Sequence, residues 1–307
     1  MRTRQRGVAL IIALLVVALA TIVAVALAAR AAAEFRRTEM MLHGDQAMQY
    51  VRGAEHWVMQ ILRRDQLESE VDSFGEPWAV ELPPLPVDGG LVTGRLEDLN
   101  GRFNLANLTT EDGTHSAPHV AQLRRLFLAL GVDAQIPVGA VLDFIDADGE
   151  TTQPDGAEDA VYLGMDPPHR TPNRPLASLS ELALLQGFDP ALLPVLAPHV
   201  VALPARTELN VNTLTPPVLM SLTDGVALGH AEGLVESYRD EGYESLEQFR
   251  DALGTPPEPG IGLGLRSQWF GLTVHVQIGS TTLTMYSLLE RSTQGATRVV
   301  ARRQTPW

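Results

Sequence analysis

The sequence predicts an α+β fold: a long N-terminal helix packed on an antiparallel sheet, with a large all-α domain inserted between the strands. Three observations predict it. An uncharged run from Val8 to Ala29 passes without a break into a stretch of helical periodicity. Alternating strand patterns stand near both ends of the remainder, and the block between them is patterned as helices. A chain of 307 residues, 45% of them hydrophobic, is long enough to bury such cores.

The first element carries the strongest signal. Val8 to Ala29 is 22 residues with Thr21 as its one polar side chain, preceded by Arg2, Arg4, Arg6 and Gly7. That exceeds the ~18 residues of a candidate membrane span, whereas a secretory apolar region usually has about 7–15. ALAARAAAE offers small-residue cleavage sites, so the residues alone leave three readings open: a signal peptide, an uncleaved anchor, or a leader cut at Gly7. Arginines flank the run on both sides and do not fix its orientation. No proline occurs before Pro77, and Ala47, Val51, Ala54, Val58 and Ile61 recur on one helical face. Residues 8–65 therefore read as one helix of about 87 Å, weakened by roughly 1 kcal/mol at each of Gly44 and Gly53.

WAVEL (78–82) and LVTGRLE (91–97) read as strands separated by the turn-rich PPLPVDGG. HVAQLRRLFLALG reads as a helix capped by Gly131, and ASLSELALLQG as one with Ser180 at its N-cap and Gly187 as its stop. Strand patterning returns after TPPEPGIGLG (255–264). Leu272, Val274, Val276 and Ile278 face one way, with Thr273, His275 and Gln277 opposite. LTMYSLLE and ATRVVAR follow as further strands.

Charge and composition exclude several functions. The formal net charge is -14, all 23 basic residues are arginine, and there is no cysteine for disulfides, thiolate metal sites or nucleophilic chemistry. LNVNTLTPPVLMSL followed by GLVESYRDEGYESLEQF is similar to helix-hairpin-helix DNA-binding modules. Between Arg206 and Asp251, however, three arginines face nine carboxylates, the wrong sign for a phosphate backbone. The eight histidines show no H-E-x-x-H spacing, and G-x-S-x-G and phosphate loops are absent, so no enzyme is expected. Trp57, Trp78 and Trp269 are expected in the core.

One loop is chemically distinctive. No lysine or arginine lies between Arg125 and Arg170, yet nine carboxylates do, six of them close together: Asp146, Asp148, Glu150, Asp155, Glu158 and Asp159. Such density demands either splaying into water or a cation. Oxygen ligands without His or Cys favour calcium over zinc. The spacing starts like an EF-hand loop but lacks its twelfth-position glutamate.

The basic leader ending in Gly7, followed by a long apolar helix, resembles the class III signal of type IV pilins and type II secretion pseudopilins. That resemblance implies cleavage between Gly7 and Val8 by a prepilin peptidase, methylation of the new amino terminus, and retention of the helix in a filament. Most subunits of those families carry a glutamate five residues into the mature chain; the matching residue here is Ile12. A subunit without that carboxylate has no need of a subunit ahead of it, which suits a filament tip. The missing glutamate and the large helical block are similar to the protein K family of minor pseudopilins. So are DLNGRFNLANL (98–108), LDFIDADGE, QPDGAEDAVYL, RTPNRPLASLSEL and TELNVNTLTPPVLMSL (207–222), in that order.

The resemblance spans nearly the whole chain and implies a pilin-like fold. Its divisions would be a leader at 1–7, a transmembrane part at 8–29, a first pilin-like part at 30–110, an inserted α-domain at 111–254 and C-terminal strands at 255–307. It further implies a single pass through the inner membrane with the soluble part in the periplasm, and a structural calcium ion in the acidic loop. Implied partners are I-type and J-type minor pseudopilins in a tip complex, the major pseudopilin and the prepilin peptidase, with no nucleic acid. A minor type IV pilin-like subunit is the alternative.

Overall fold

The structure, a computed structural model, describes residues 5–81, 83–292 and 294–305. Residues 1–4 of the expected leader, with Arg2 and Arg4, lie outside the described residues, as does Leu82 of the expected first strand.

Helix α1 runs unbroken from Gln5 to Glu68, 64 residues and about 96 Å at the helical rise. Gly44 and Gly53 do not interrupt it. Its second half buries Ala47, Val51, Val58 and Leu62, the face that the spacing predicts. A short hairpin follows, of β1 (Leu85–Val87) and β2 (Gly90–Asp98). The chain then passes through β3 (Phe103–Asn104) into the helical block of α2 (Ala117–Leu130), α3 (Val138–Ile145), α4 (Asp159–Tyr162) and α5 (Leu193–Leu196). Two-residue strands β4 (Val200–Val201) and β5 (Leu209–Asn210) lead to α6 (Pro216–Met220), α7 (Leu228–Ser237) and α8 (Leu246–Leu253). After β6 (Leu263–Gly264), the long strands β7 (Trp269–Ile278), β8 (Thr281–Arg291) and β9 (Thr297–Arg303) complete the fold.

The main sheet has the order β1-β2-β7-β8-β9 and is antiparallel throughout, so β2 pairs directly with β7 although the helical block lies between them in sequence. Parallel pairs β3-β4 and β5-β6 form two further two-stranded sheets. One core lies between α1 and the sheet and is built on Phe270, Leu272, Val274, Val276 and Ile278. A larger one fills the helical block from Phe103 to Ile261. On the opposite sheet face, Leu99, Val201, Leu203, Trp269 and Leu288 join the two layers.

Three local expectations are corrected. WAVEL is not a strand: Pro77 opens a 3₁₀ turn over Pro77–Ala79, because its fixed φ suits a first helical position. The turn drops Trp78 into the core, edge-on to Phe270 at 5.5 Å, with its indole N–H donating to Glu76 Oε2 at 2.8 Å. The first strand lies instead inside PPLPVDGG, as Leu85–Val87, turned back by Asp88-Gly89 with Gly89 at φ +78°. The segment ASLSELALLQG forms 3₁₀ turns over Leu179–Leu184, and its N-cap is Ser178, which exchanges capping-box hydrogen bonds with Glu181, not Ser180. Trp78 and Trp269 are buried as expected, but Trp57 is 48% exposed on the outer face of α1.

Candidate functional site

Among the described residues, the apolar half of α1 is exposed along its length. Its most apolar 18-residue window has a mean hydropathy of 3.2 and no buried residue, so it is long and apolar enough to cross a membrane. Gly7 lies within the helix, and Val8 and Ile12 are exposed on it. Ile12 presents only hydrocarbon at the position where a carboxylate would have to find a partner.

The acidic loop is held against the end of α3. Asp146, the C-cap of that helix, is buried, and its backbone N–H closes the last turn on the Leu142 carbonyl. Of the six predicted ligands, the fold gathers three: one oxygen from each of Asp146, Asp148 and Glu158 lies within 4.8 Å of the others. The remaining carboxylates turn elsewhere. Glu150 is exposed, its backbone N–H donating to Asp148 Oδ1 at 2.8 Å. Asp155 Oδ1 accepts from the Gly139 N–H at 3.2 Å. Asp159 Oδ1 accepts from the Thr171 N–H and hydroxyl, each at 3.0 Å, and its Oδ2 pairs with Arg170 at 3.3 Å.

The trio has the character of a cation site. Asp146 Oδ1 and Glu158 Oε1 are both buried without a hydrogen-bond partner, a costly state that a hard cation relieves. Burial pushes the Asp146 carboxyl up, against the opposing pull of the His115 ring, whose Nε2 stands 2.8 Å from Asp146 Oδ2. Burial, reinforced by repulsion from Asp143, pushes Glu158 up as well. Asp143 is absent from the predicted set. It is fully buried on α3, one turn before Asp146, and both its oxygens accept from the Thr152 N–H. The D-x-x-D spacing in LDFID is the signal that could have found it.

Between the layers, the two asparagine-rich stretches meet. Asn104 donates to the Ala205 carbonyl and accepts from the Leu203 N–H; Asn107 makes a reciprocal pair with the backbone of Thr207. Asn210 Nδ2 reaches Asp72 O, Asp98 Oδ2 and Ser267 Oγ, at 3.0, 3.0 and 2.8 Å. Asn212 exchanges hydrogen bonds with the Tyr243 backbone. Asn100 Oδ1 accepts from the Trp269 N–H at 2.9 Å while its amide donates to the Glu208 carbonyl. These side chains complete backbone pairing that the two-residue strands cannot supply. The joint is therefore what DLNGRFNLANL and TELNVNTL encode.

Helices α7 and α8, in the stretch that is similar to DNA-binding modules, present Glu232, Glu236, Glu244, Glu247 and Asp251 to solvent along with their flanking loops. That surface repels phosphate.

Residues 101–205 and 209–270 match the family described as type II secretion system (T2SS), protein K. Type II secretion system protein K of Pseudomonas aeruginosa is 36% identical over 314 residues, covering 98% of this chain and 93% of its own. The corresponding protein of Pectobacterium carotovorum is 35% identical, covering 96% and 95%. Among solved structures, a chain of the GspK-GspI-GspJ complex from enterotoxigenic Escherichia coli superposes with a TM-score of 0.75 at 27% identity. The match covers 87% of this chain and 98% of that one.

Proposed function

The chain belongs to the type II secretion system protein K family, and from that premise we propose that it is the minor pseudopilin that starts and caps a periplasmic pseudopilus. In this role it assembles with I-type and J-type minor pseudopilins, as GspK does with GspI and GspJ in the related complex. It is a structural component, and no catalytic step is assigned to it. The single observation that carries the reading is α1: one unbroken helix, its first half bare and apolar and its second half packed on a sheet. A discarded signal peptide has no reason to continue into the core of the soluble fold.

In this reading a prepilin peptidase cuts between Gly7 and Val8, the new terminus is methylated, and Val8–Ala29 remains in the inner membrane with the rest in the periplasm. The helical block sits above the sheet, where it would obstruct addition of a further subunit. The test is co-purification of the full chain, in detergent, with the neighbouring minor pseudopilins of its own secretion system, with mass spectrometry of its amino terminus. A ternary complex and a methylated Val8 are expected. A monomer beginning near Ala31 overturns the reading.

We also propose that calcium occupies the acidic loop. Asp146, Asp148 and Glu158 would hold it, with Asp143 bracing the loop behind them; the two buried oxygens without partners support this choice. The ion would fasten the loop to α3 in a chain that has no disulfides to do so.

A further inference from the structure

Where α1 meets the helical block, carboxylates outnumber cations. One oxygen from each of Asp65, Asp72 and Glu76 lies within 4.8 Å of the others, and Asp65 and Asp72 are buried. Arg291, at the end of β8, is the cation lodged among them. Its Nη1 donates to Asp65 Oδ2 at 3.0 Å, its Nη2 to Asp72 Oδ2, and both Nε and Nη2 to the Ser267 carbonyl. Glu76 Oε2 accepts instead from two neutral donors, the Ser73 N–H and the Trp78 indole.

The other charged groups facing the joint do not cancel the excess. Arg266, before β7, is engaged with Glu70 at 3.1 Å on the exposed rim and with backbone carbonyls. Arg239, from the loop after α7, stacks on Phe74 at 4.9 Å. Asp98, at the end of β2, adds a third buried carboxylate, solvated by the Asn100 N–H, Asn210 Nδ2 and the hydroxyls of Thr213 and Ser267.

Three carboxylates this close, with one guanidinium bonded to only two of them, cannot all carry charge cheaply. We propose that Asp65, crowded by Asp72 and Glu76, takes up a proton on folding, so that the seat of the helical block on the sheet tightens on the acid side of neutrality. Burial, then repulsion from Glu76 and Asp72, pushes the Asp65 carboxyl up to about 7 against the pull of Arg291. A carboxyl raised in the folded state contributes stability that is complete below its unfolded value of about 4 and is lost as pH climbs through about 7. The proton on Asp65 depends on the joint alone and is independent of the proposed role at the pseudopilus tip.

The test is urea unfolding of the full chain in detergent from pH 4.5 to 8.5, followed by fluorescence of Trp78 and Trp269, both buried beside the joint. The wild-type unfolding constant, divided by that of Asp65→Asn, should rise roughly tenfold per pH unit between about 4.5 and 6.5 and level off above about 8. Parallel profiles for the two proteins, or a ratio that falls with pH, overturn the proposal. Should Asp65→Asn fail to fold, Glu76→Gln decides: with one repulsive neighbour gone, the wild-type pH profile should reappear displaced to lower pH. An undisplaced profile overturns the proposal.

Discussion

The Arg302 guanidinium grips the Glu55 carboxylate through two hydrogen bonds of 2.8 Å each, joining the last strand to the long helix. Glu55 is buried and Arg302 exposed, and the Ser287 hydroxyl supplies a third donor to Glu55 at 2.6 Å. Strand β9 is otherwise an edge, held on one side by β8 alone. Truncating Arg302→Ala leaves a buried carboxylate with one neutral donor, which should cost about 1–3 kcal/mol of unfolding free energy. Glu55→Gln, which removes the charge but keeps an acceptor, should cost less. Urea midpoints of the two variants check the order, and equal losses would show that the ion pair is not what matters.

Gly101 fixes how closely the two layers approach. A β-carbon there would stand 2.2 Å from the backbone carbonyl oxygen of Thr213, in the loop after β5. Backbone cannot swing aside as a flexible side chain can, so Gly101→Ala should destabilise by about 2 kcal/mol or more. The contrast is Gly44→Ala on α1, where nothing lies within 4 Å. That change should stabilise by roughly 0.5–1 kcal/mol through helix propensity alone. Opposite shifts in melting temperature for the two alanines are expected.

Periodicity in the sequence predicts well where side chains point. Leu272, Val274, Val276 and Ile278 alternate into the core, and Ala47, Val51 and Val58 keep helical step against them. Features that depend on a partner far away in sequence are not legible in this way. WAVEL alternates like a strand, but Phe270 draws Trp78 inward and Pro77 sets the turn. The Asp88-Gly89 hairpin signal is present within PPLPVDGG and is masked by its prolines. In the acidic loop, composition identifies the segment but cannot sort its oxygens, because Gly139, Thr171 and Arg170 claim two of the carboxylates from elsewhere in the fold. For Asp143 the D-x-x-D spacing marks a carboxylate one turn before Asp146, but its role in receiving the Thr152 N–H depends on a residue that folds back on it.

Removing calcium should loosen the acidic loop. An ion bound only by the folded state stabilises it by about 2.7 kcal/mol when free calcium is a hundredfold above the dissociation constant. EDTA should therefore lower the melting temperature of the wild type. Asp146→Asn and Glu158→Gln, which alter the two buried carboxylates of the proposed site, should start lower and respond little to EDTA. Asp155→Asn, whose carboxylate serves the Gly139 N–H instead, should keep most of the EDTA response. An identical melting curve with and without EDTA, together with no calcium by elemental analysis, would leave the loop as a solvated acidic turn.

Ile12→Glu tests the tip role at one residue. A carboxylate inside the apolar stretch of a membrane helix is costly unless it meets a partner, and the most apolar window of α1, with no buried residue among those described, offers none. In a filament shaft the partner would come from the subunit ahead. A capping subunit has no subunit ahead, so the introduced charge would remain uncompensated or draw the protein into the wrong position. Secretion by cells carrying Ile12→Glu in place of the wild type should fall, while Ile12→Leu, which preserves the apolar surface, should leave it unchanged. If the glutamate variant secretes as well as wild type at equal abundance, position 12 is indifferent to charge and the subunit's place at the tip loses its physical basis.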